Sequence, residues 1–266
     1  WGRDTFISLP GLCLAIDDWR MFKMAIESEI SDFREGFFPN IGSGAQSAYN
    51  SVDAPLWFFW CIQQYAYIND ARTEVWNMYS KVMKQILDTF AEGTDNVRMD
   101  SNFLLWQSQE GKALTWMDAI VEGKPVTPRN GYAVEINALW YNAVMFYREL
   151  AELACSDGES AKWDEFASVF PSSFKSTFWS KEKGYLADCV NGAERDFSVR
   201  CNMIFAVSMP YTCLSLKIRQ LIVEKVKQEL LTPYGLRSLS PKAENYHPVY
   251  RGNQNERDFA YHNGTV

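Results

Sequence analysis

Seven consecutive residues, Leu56-Trp57-Phe58-Phe59-Trp60-Cys61-Ile62, are apolar. Within a helix over Asp53 to Ile68 such a run leaves no polar face, and a helix apolar all round has to be buried all round. Asp53 is expected to cap this helix, with Pro55 in its first turn. The next segment reads differently. Val75, Met78, Tyr79, Val82, Ile86 and Phe90 fall on one stripe while Lys81, Lys84 and Asp88 fall elsewhere, the pattern of a half-exposed helix. The alternation then recurs. Val134 to Leu153 is dense in apolar and aromatic residues, and the segment near Ser160 to Phe174 is more polar. Asn202 to Met209 is short and apolar. Leu214, Ile218, Leu221 and Ile222 then form a stripe backed by Lys217, Arg219, Lys225 and Lys227. Buried helix followed by half-buried helix predicts an all-α fold in two concentric layers, an α/α barrel. No fixed repeat period supports a solenoid. Strand-like pieces are confined to Phe103–Gln107 and Leu114–Met117.

Composition narrows the function classes. With 47% apolar and 15% aromatic residues, the chain folds rather than staying disordered. A net charge of −7 argues against a reader of nucleic-acid phosphates and against an anionic membrane surface. No apolar run reaches the ~18 residues of a membrane span, since Gln63 and Gln64 interrupt the strongest one. The six cysteines form no CxxC pair and only His247 and His262 accompany them, so no metal site is expected. That cysteine usage suits the reducing cytoplasm. The opening Trp1-Gly2-Arg3-Asp4 and the closing Asn263-Gly264-Thr265-Val266 read as the ends of a segment of a longer polypeptide.

Two long connections carry the chemistry. Glu35 to Val52 holds Gly36, Pro39, Asn40, Gly42, Gly44, Tyr49 and Asn50, followed by Asp53. Asp95 to Gly131 holds Trp106, Trp116, Asp118 and Arg129. Connections of this length in a folded domain are usually functional. Aromatic plates mixed with carboxylates, amides and a guanidinium suit sugar rings: the C–H faces stack on indole and the hydroxyls hydrogen-bond to the polar groups.

Six blocks spread along the chain resemble the glycogen debranching enzyme family, in its amylo-α-1,6-glucosidase part. They begin with Trp1-Gly2-Arg3-Asp4-Thr5-Phe6-Ile7-Ser8-Leu9-Pro10-Gly11-Leu12 and Asn50-Ser51-Val52-Asp53-Ala54-Pro55-Leu56-Trp57-Phe58. Thr115-Trp116-Met117-Asp118-Ala119 and Gly131 to Ala143 follow. Thr232 to Pro241 and Arg257 to Val266 complete the set. The resemblance implies a partial (α/α)6-barrel catalytic domain over residues 1–266, incomplete at its C-terminal end and completed by the rest of the same polypeptide. It implies hydrolysis of the α-1,6-linked glucose at branch points of glycogen or limit dextrin, with inversion and with no cofactor. Such chemistry takes two carboxyls, one protonating the leaving oxygen and one activating water.

By resemblance Asp118 is the general acid, and Trp116 and Met117 are expected to desolvate its carboxyl and lift its pKa toward the working pH. The general base is expected beyond residue 266. Glu135 is the in-chain carboxylate alternative, more naturally a holder of a substrate hydroxyl or of a neighbouring loop. Arg3 and Asp4 resemble a pair that holds the non-reducing glucose, with a structural ion pair as the competing role. Asn50, Asp53, Trp106, Trp116, Arg129, Asn137, Asp258 and His262 complete the expected substrate-binding set; Asn137 and Arg129 could equally cap helices. Two alternatives stay open: another inverting α/α-barrel glucosidase, glucoamylase- or trehalase-like, and a saccharide-binding fragment inactive for lack of the base. A terpene cyclase is set aside, because Asp17-Asp18-Trp19-Arg20 does not continue as an acid cluster of that class.

Overall fold

The structure is a computed structural model that describes residues 2–40 and 48–266, so Gly42 and Gly44 of the first long connection lie outside the described residues. The chain divides into two units, Trp1–Met99 with Leu139–Ser168 and Asp100–Ala138 with Val169–Val266.

The first unit is built on helices α1 (Gly2–Leu12), α2 (Trp19–Ser31), α3 (Asp53–Ile68) and α4 (Arg72–Glu92). It also takes most of α5 (Val134–Leu153), all of α6 (Asp157–Ala161) and the start of α7 (Asp164–Phe178), together with strand β1 (Val97–Met99). Helix α3 is the buried element that its sequence requires: Leu56, Phe58, Phe59, Cys61 and Ile62 are 0% exposed. Phe58 packs its edge on Phe6 of α1 and on Tyr79 of α4. Gln63, polar in this apolar helix, accepts a 2.8 Å hydrogen bond from Asn142 of α5, and both residues are fully buried. Helix α4 is half-buried, with Lys84 and Asp88 on its outer face pairing with Glu159 and Lys162.

One helix start differs from expectation. Val52, not Asp53, is the N-cap of α3, and the Ser51 hydroxyl accepts from Ala54 N. Asp53 turns inward instead, because Arg3 is there to neutralise it. At α2 the cap is Asp18, whose carboxylate accepts from Met21 N.

The second unit overturns the all-α expectation. About 52% of the described residues are helical and 12% lie in strands, and the strands form several small sheets. In chain order they are β2 (Leu105–Gln107), β3 (Ile120–Val121), β4 (Lys124–Pro125), β5 (Tyr132–Ala133), β6 (Trp179–Ser180), β7 (Tyr185–Leu186), β8 (Cys189–Asn191), β9 (Glu194–Asp196), β10 (Leu231–Thr232) and β11 (Gly235–Leu236). β5, β8 and β9 make a three-stranded antiparallel sheet in which Tyr132 faces Val190 and Val190 faces Arg195. β3–β4, β6–β7 and β10–β11 are two-stranded hairpins. The all-α reading rests on helical periodicity, with the (α/α)6 form implied by the family resemblance, and periodicity is blind to ladders two or three residues long: a period of two needs several residues to register. Glycine makes one junction possible. Gly131, at φ +112°, exchanges both main-chain bonds with Gln107, and a Cβ there would run into the carbonyl oxygen of Val190. Leu114–Met117, expected as a strand, is irregular and held by side chains. A 3-10 turn (Cys201–Ile204), α8 (Phe205–Ser208), α9 (Leu216–Glu229) and α10 (Gln254–His262) complete this unit. Among the described residues no helix is long and apolar enough to cross a membrane.

Candidate active site

Asp118 is half-buried in the irregular stretch that leads into β3. Its neighbours in sequence are held firmly. Met117 N donates to Thr115 Oγ1 at 3.3 Å, Thr127 Oγ1 donates to Met117 O at 3.5 Å, and Val126 N donates to Ala119 O at 3.0 Å. Trp116 donates its indole N–H to Asn202 Oδ1 at 2.8 Å.

Asn202 leads to a buried ionic cluster. Its Nδ2 donates to Asp188 Oδ1 at 2.8 Å and approaches Met117 Sδ at 3.3 Å. Asp188 Oδ2 accepts from Arg129 Nε at 2.8 Å. The outer edge of the same guanidinium makes a bidentate pair with Glu135, and Arg129 Nη1 also reaches Thr115 Oγ1 at 3.5 Å. Asn202 is 0%, Asp188 and Glu135 1%, and Arg129 6% exposed. Burial alone would push Arg129 down, but Asp188 and Glu135 more than reverse this and hold it well above its ordinary value. One cation here serves two carboxylates, and burial lifts the Glu135 carboxyl above the usual range against the pull of Arg129. The nearby thiols Cys189 and Cys201 are pushed up by burial to about 12, which keeps them protonated and removes them as nucleophiles.

His262, at the end of α10, is fully buried. Its Nδ1 lies 3.1 Å from Thr127 Oγ1, and its ring meets Trp116 edge-on at 5.6 Å. Tyr261 also packs on Trp116, at 6.3 Å, and is itself 45% exposed. The result is an aromatic corner of Trp116, Tyr261 and His262, of which Trp116 lies two residues along the chain from Asp118. Arg200, buried, braces it by donating to His262 O at 2.5 Å. Asp258, half-buried on α10, accepts from Gln254 at 2.7 Å.

The remaining expected residues take other places. Trp106 is half-buried in β2, between the buried Leu105 and Gln107. Asn137 donates to Leu105 O and Ala133 O and accepts from Leu105 N, so its amide ties β2 to the start of α5. In the first unit Arg3 donates to Asp53 at 2.7 Å and to Ser51 at 3.3 Å, all three being buried. Asp4 is exposed and Asn50 half-buried. Sequence reasoning missed Thr115, Thr127, Asp188, Arg200 and Asn202. The signal available for two of them was a lone polar residue in apolar company: Asp188 after Tyr185-Leu186-Ala187, and Asn202 at the head of Met203-Ile204-Phe205-Ala206. Among the described residues no group of three or more His, Cys, Asp and Glu is placed to hold a metal ion.

The arrangement places a half-buried carboxyl on a segment whose flanking residues are hydrogen-bonded, two residues after an indole that packs on Tyr261 and His262. A glycogen debranching enzyme from Saccharomyces cerevisiae is 24% identical over 359 residues, a match covering 99% of this chain and 23% of that protein. The chain therefore spans less than a quarter of that curated relative. Among solved structures, a GH78 family rhamnosidase from Bacillus sp. GL1 superposes with a TM-score of 0.54 at 15% identity, over 80% of this chain and 21% of that one. This likeness concerns fold alone. The sequence pattern of one family, described as amylo-alpha-1,6-glucosidase, runs through residues 1–266 without remainder, and the chain belongs to that family.

Proposed function

We propose that this chain is part of the catalytic domain of a glycoside hydrolase that removes α-1,6-linked glucose from branch points of glycogen or limit dextrin, with Asp118 as proton donor. The observation that carries the reading is the family match over residues 1–266, which includes the block Thr115–Ala119. The setting of Asp118 supports it: Met117 beside it is buried, Trp116 is half-buried, and an aromatic corner lies alongside.

In the proposed reaction the Asp118 carboxyl gives its proton to the glycosidic oxygen as the C1–O bond breaks. Water attacks C1 from the opposite face and loses a proton to a second carboxylate, so the glucose leaves as the β anomer. The two carboxyls of an inverting site stand roughly 6.5–9.5 Å apart. Glu135 is a poor candidate for the second, because both its oxygens are engaged by Arg129. That carboxylate is assigned to another part of the full-length polypeptide. Trp116 and Tyr261 are proposed as stacking surfaces for sugar. Glu135 and Asn137 are proposed as supports behind the binding surface, and Arg3 with Asp53 as a structural ion pair within the first unit, since each is bonded to protein partners.

The test is glucose release from a branched limit dextrin by the full-length protein, followed by NMR to identify the first-formed anomer. Asp118→Asn is expected to lower turnover about 10²–10⁴-fold, the usual worth of acid catalysis. Unchanged turnover in that variant sinks the assignment, and α-glucose as first product sinks the inversion.

A further inference from the structure

We propose that Asn202 is a positioning residue, a link through which the buried cluster of Arg129, Asp188 and Glu135 fixes the segment that carries Asp118. The inference rests on the reading of Asp118 as proton donor.

Asn202 is fully buried in the turn Cys201–Ile204, far in sequence from the residues it joins. Its amide orientation follows from its neighbours. An indole N–H only donates, so Trp116 requires the carbonyl end, at 2.8 Å. Asp188 Oδ1 faces the other end at 2.8 Å, and there Nδ2 donates. No side chain with a single kind of hydrogen-bonding group satisfies both ends. The carboxylate on the far side is itself immobile: Arg129 donates to it through Nε at 2.8 Å, while the rest of the guanidinium grips Glu135. Rigidity thus passes from a buried ion cluster to an amide, from the amide to an indole, and from the indole along two peptide units to Asp118. The Met117 sulfur, 3.3 Å from Asn202 Nδ2, adds a second point of attachment between them. A general acid needs this kind of support. Proton transfer is steeply sensitive to geometry, and a displacement of about 1 Å can cost on the order of 10²-fold in rate.

The experiment uses the full-length enzyme and two substrates, a branched limit dextrin and α-glucosyl fluoride. Fluoride leaves with little need of a proton, so it bypasses the acid. Asn202→Ala is expected to lower kcat on limit dextrin about 10- to 100-fold, with KM changed less than about threefold, and to leave kcat on α-glucosyl fluoride within about threefold of wild type. Asn202→Ser keeps a small polar side chain but is too short to span from the Trp116 indole to Asp188, and it is expected to show the same split. It decides the matter should Asn202→Ala fail to fold. Equal losses on both substrates, or a loss carried by KM, mean that Asn202 merely supports the fold, and the inference is overturned. Wild-type turnover of Asn202→Ala alongside an inactive Asp118→Asn also overturns it, while the reading of Asp118 stands. Wild-type turnover of Asp118→Asn overturns that reading, and the inference with it.

Discussion

Arg129 shows how one buried cation can hold two acids at once. It is 6% exposed and carries two buried carboxylates on one guanidinium. Replacing it by Met leaves both acids buried and unpaired, an arrangement that costs about 3–5 kcal/mol when one partner of a buried pair is removed. Arg129→Lys should fare little better, since an ammonium cannot serve the bidentate Glu135 and the lateral Asp188 together. Urea denaturation of either variant is expected to show a loss of this size, and a change below about 1 kcal/mol would contradict the shared-cation picture. A half-buried acid can be followed by pH. Glu229 on α9 accepts from Ser240 at 2.6 Å, from Lys242 at 3.0 Å and from Lys225 at 3.1 Å. Burial pushes its carboxyl up, but these three donors override burial and bring it from 4.5 down to about 2. A depressed acid stabilises the fold above its ordinary pKa, and that stability drains away as the pH falls from 4.5 toward 2. Glu229→Gln should therefore show a shallower acid decline, by about 2 kcal/mol over that window, less than full conversion because Lys242 is exposed. Parallel acid curves for the two proteins would refute the assignment. The sequence named Arg129 and Glu135 but neither Asp188 nor Asn202. Asp188 meets Arg129 from 59 positions away, and Asn202 meets Trp116 from 86, separations at which no local periodicity connects them.

Elements were legible where their signal was long. Helices α3 and α5 lie on the boundaries Asp53–Ile68 and Val134–Leu153 that apolar density marks out, because sixteen to twenty residues give a helical period room to repeat. The small sheets were not legible, since a ladder such as Tyr132–Ala133 against Cys189–Val190 depends on partners far along the chain and on a glycine at 131 that local pattern does not explain. Caps fall between these extremes. Asp53 has the right residue type for an N-cap and was turned inward by Arg3, while Asn253 caps α10 as a full capping box. Its side chain accepts from Glu256 N at 3.0 Å, and Asn253 N donates in return to Glu256 Oε2 at 2.7 Å. This helix carries Asp258 and His262. Asn253→Ala is expected to destabilise the protein by about 1 kcal/mol through loss of the cap, with exposed Asn253 making no other large contribution. Glu256→Gln should retain most of that stability because an amide oxygen still accepts. A denaturation midpoint that fell equally in both variants would show charge, not hydrogen bonding, to be what the box supplies.

At the scale of the whole molecule, charge separates the proposed substrate from the ones the composition excludes. The chain carries a net charge of −7, and among the described residues the buried Arg3 and Arg129 are paired with carboxylates while the buried Arg200 donates to main-chain carbonyls. A protein of this sign repels polyanions, and a glucan, being neutral, is neither steered nor repelled by such a field. Recognition then depends on stacking and short hydrogen bonds, whose strength salt scarcely changes. Raising ionic strength from about 0.1 to about 1 M shortens the Debye length from roughly 10 to roughly 3 Å and removes long-range steering altogether. The KM of the full-length enzyme for limit dextrin is therefore expected to shift less than about twofold over that range. A polyanion such as heparin, added at the lower ionic strength, should not compete. A KM that rose tenfold with salt would mean that the natural ligand is charged. That outcome would remove the neutral branched glucan from the reading even with the family assignment, which rests on residues 1–266, left in place.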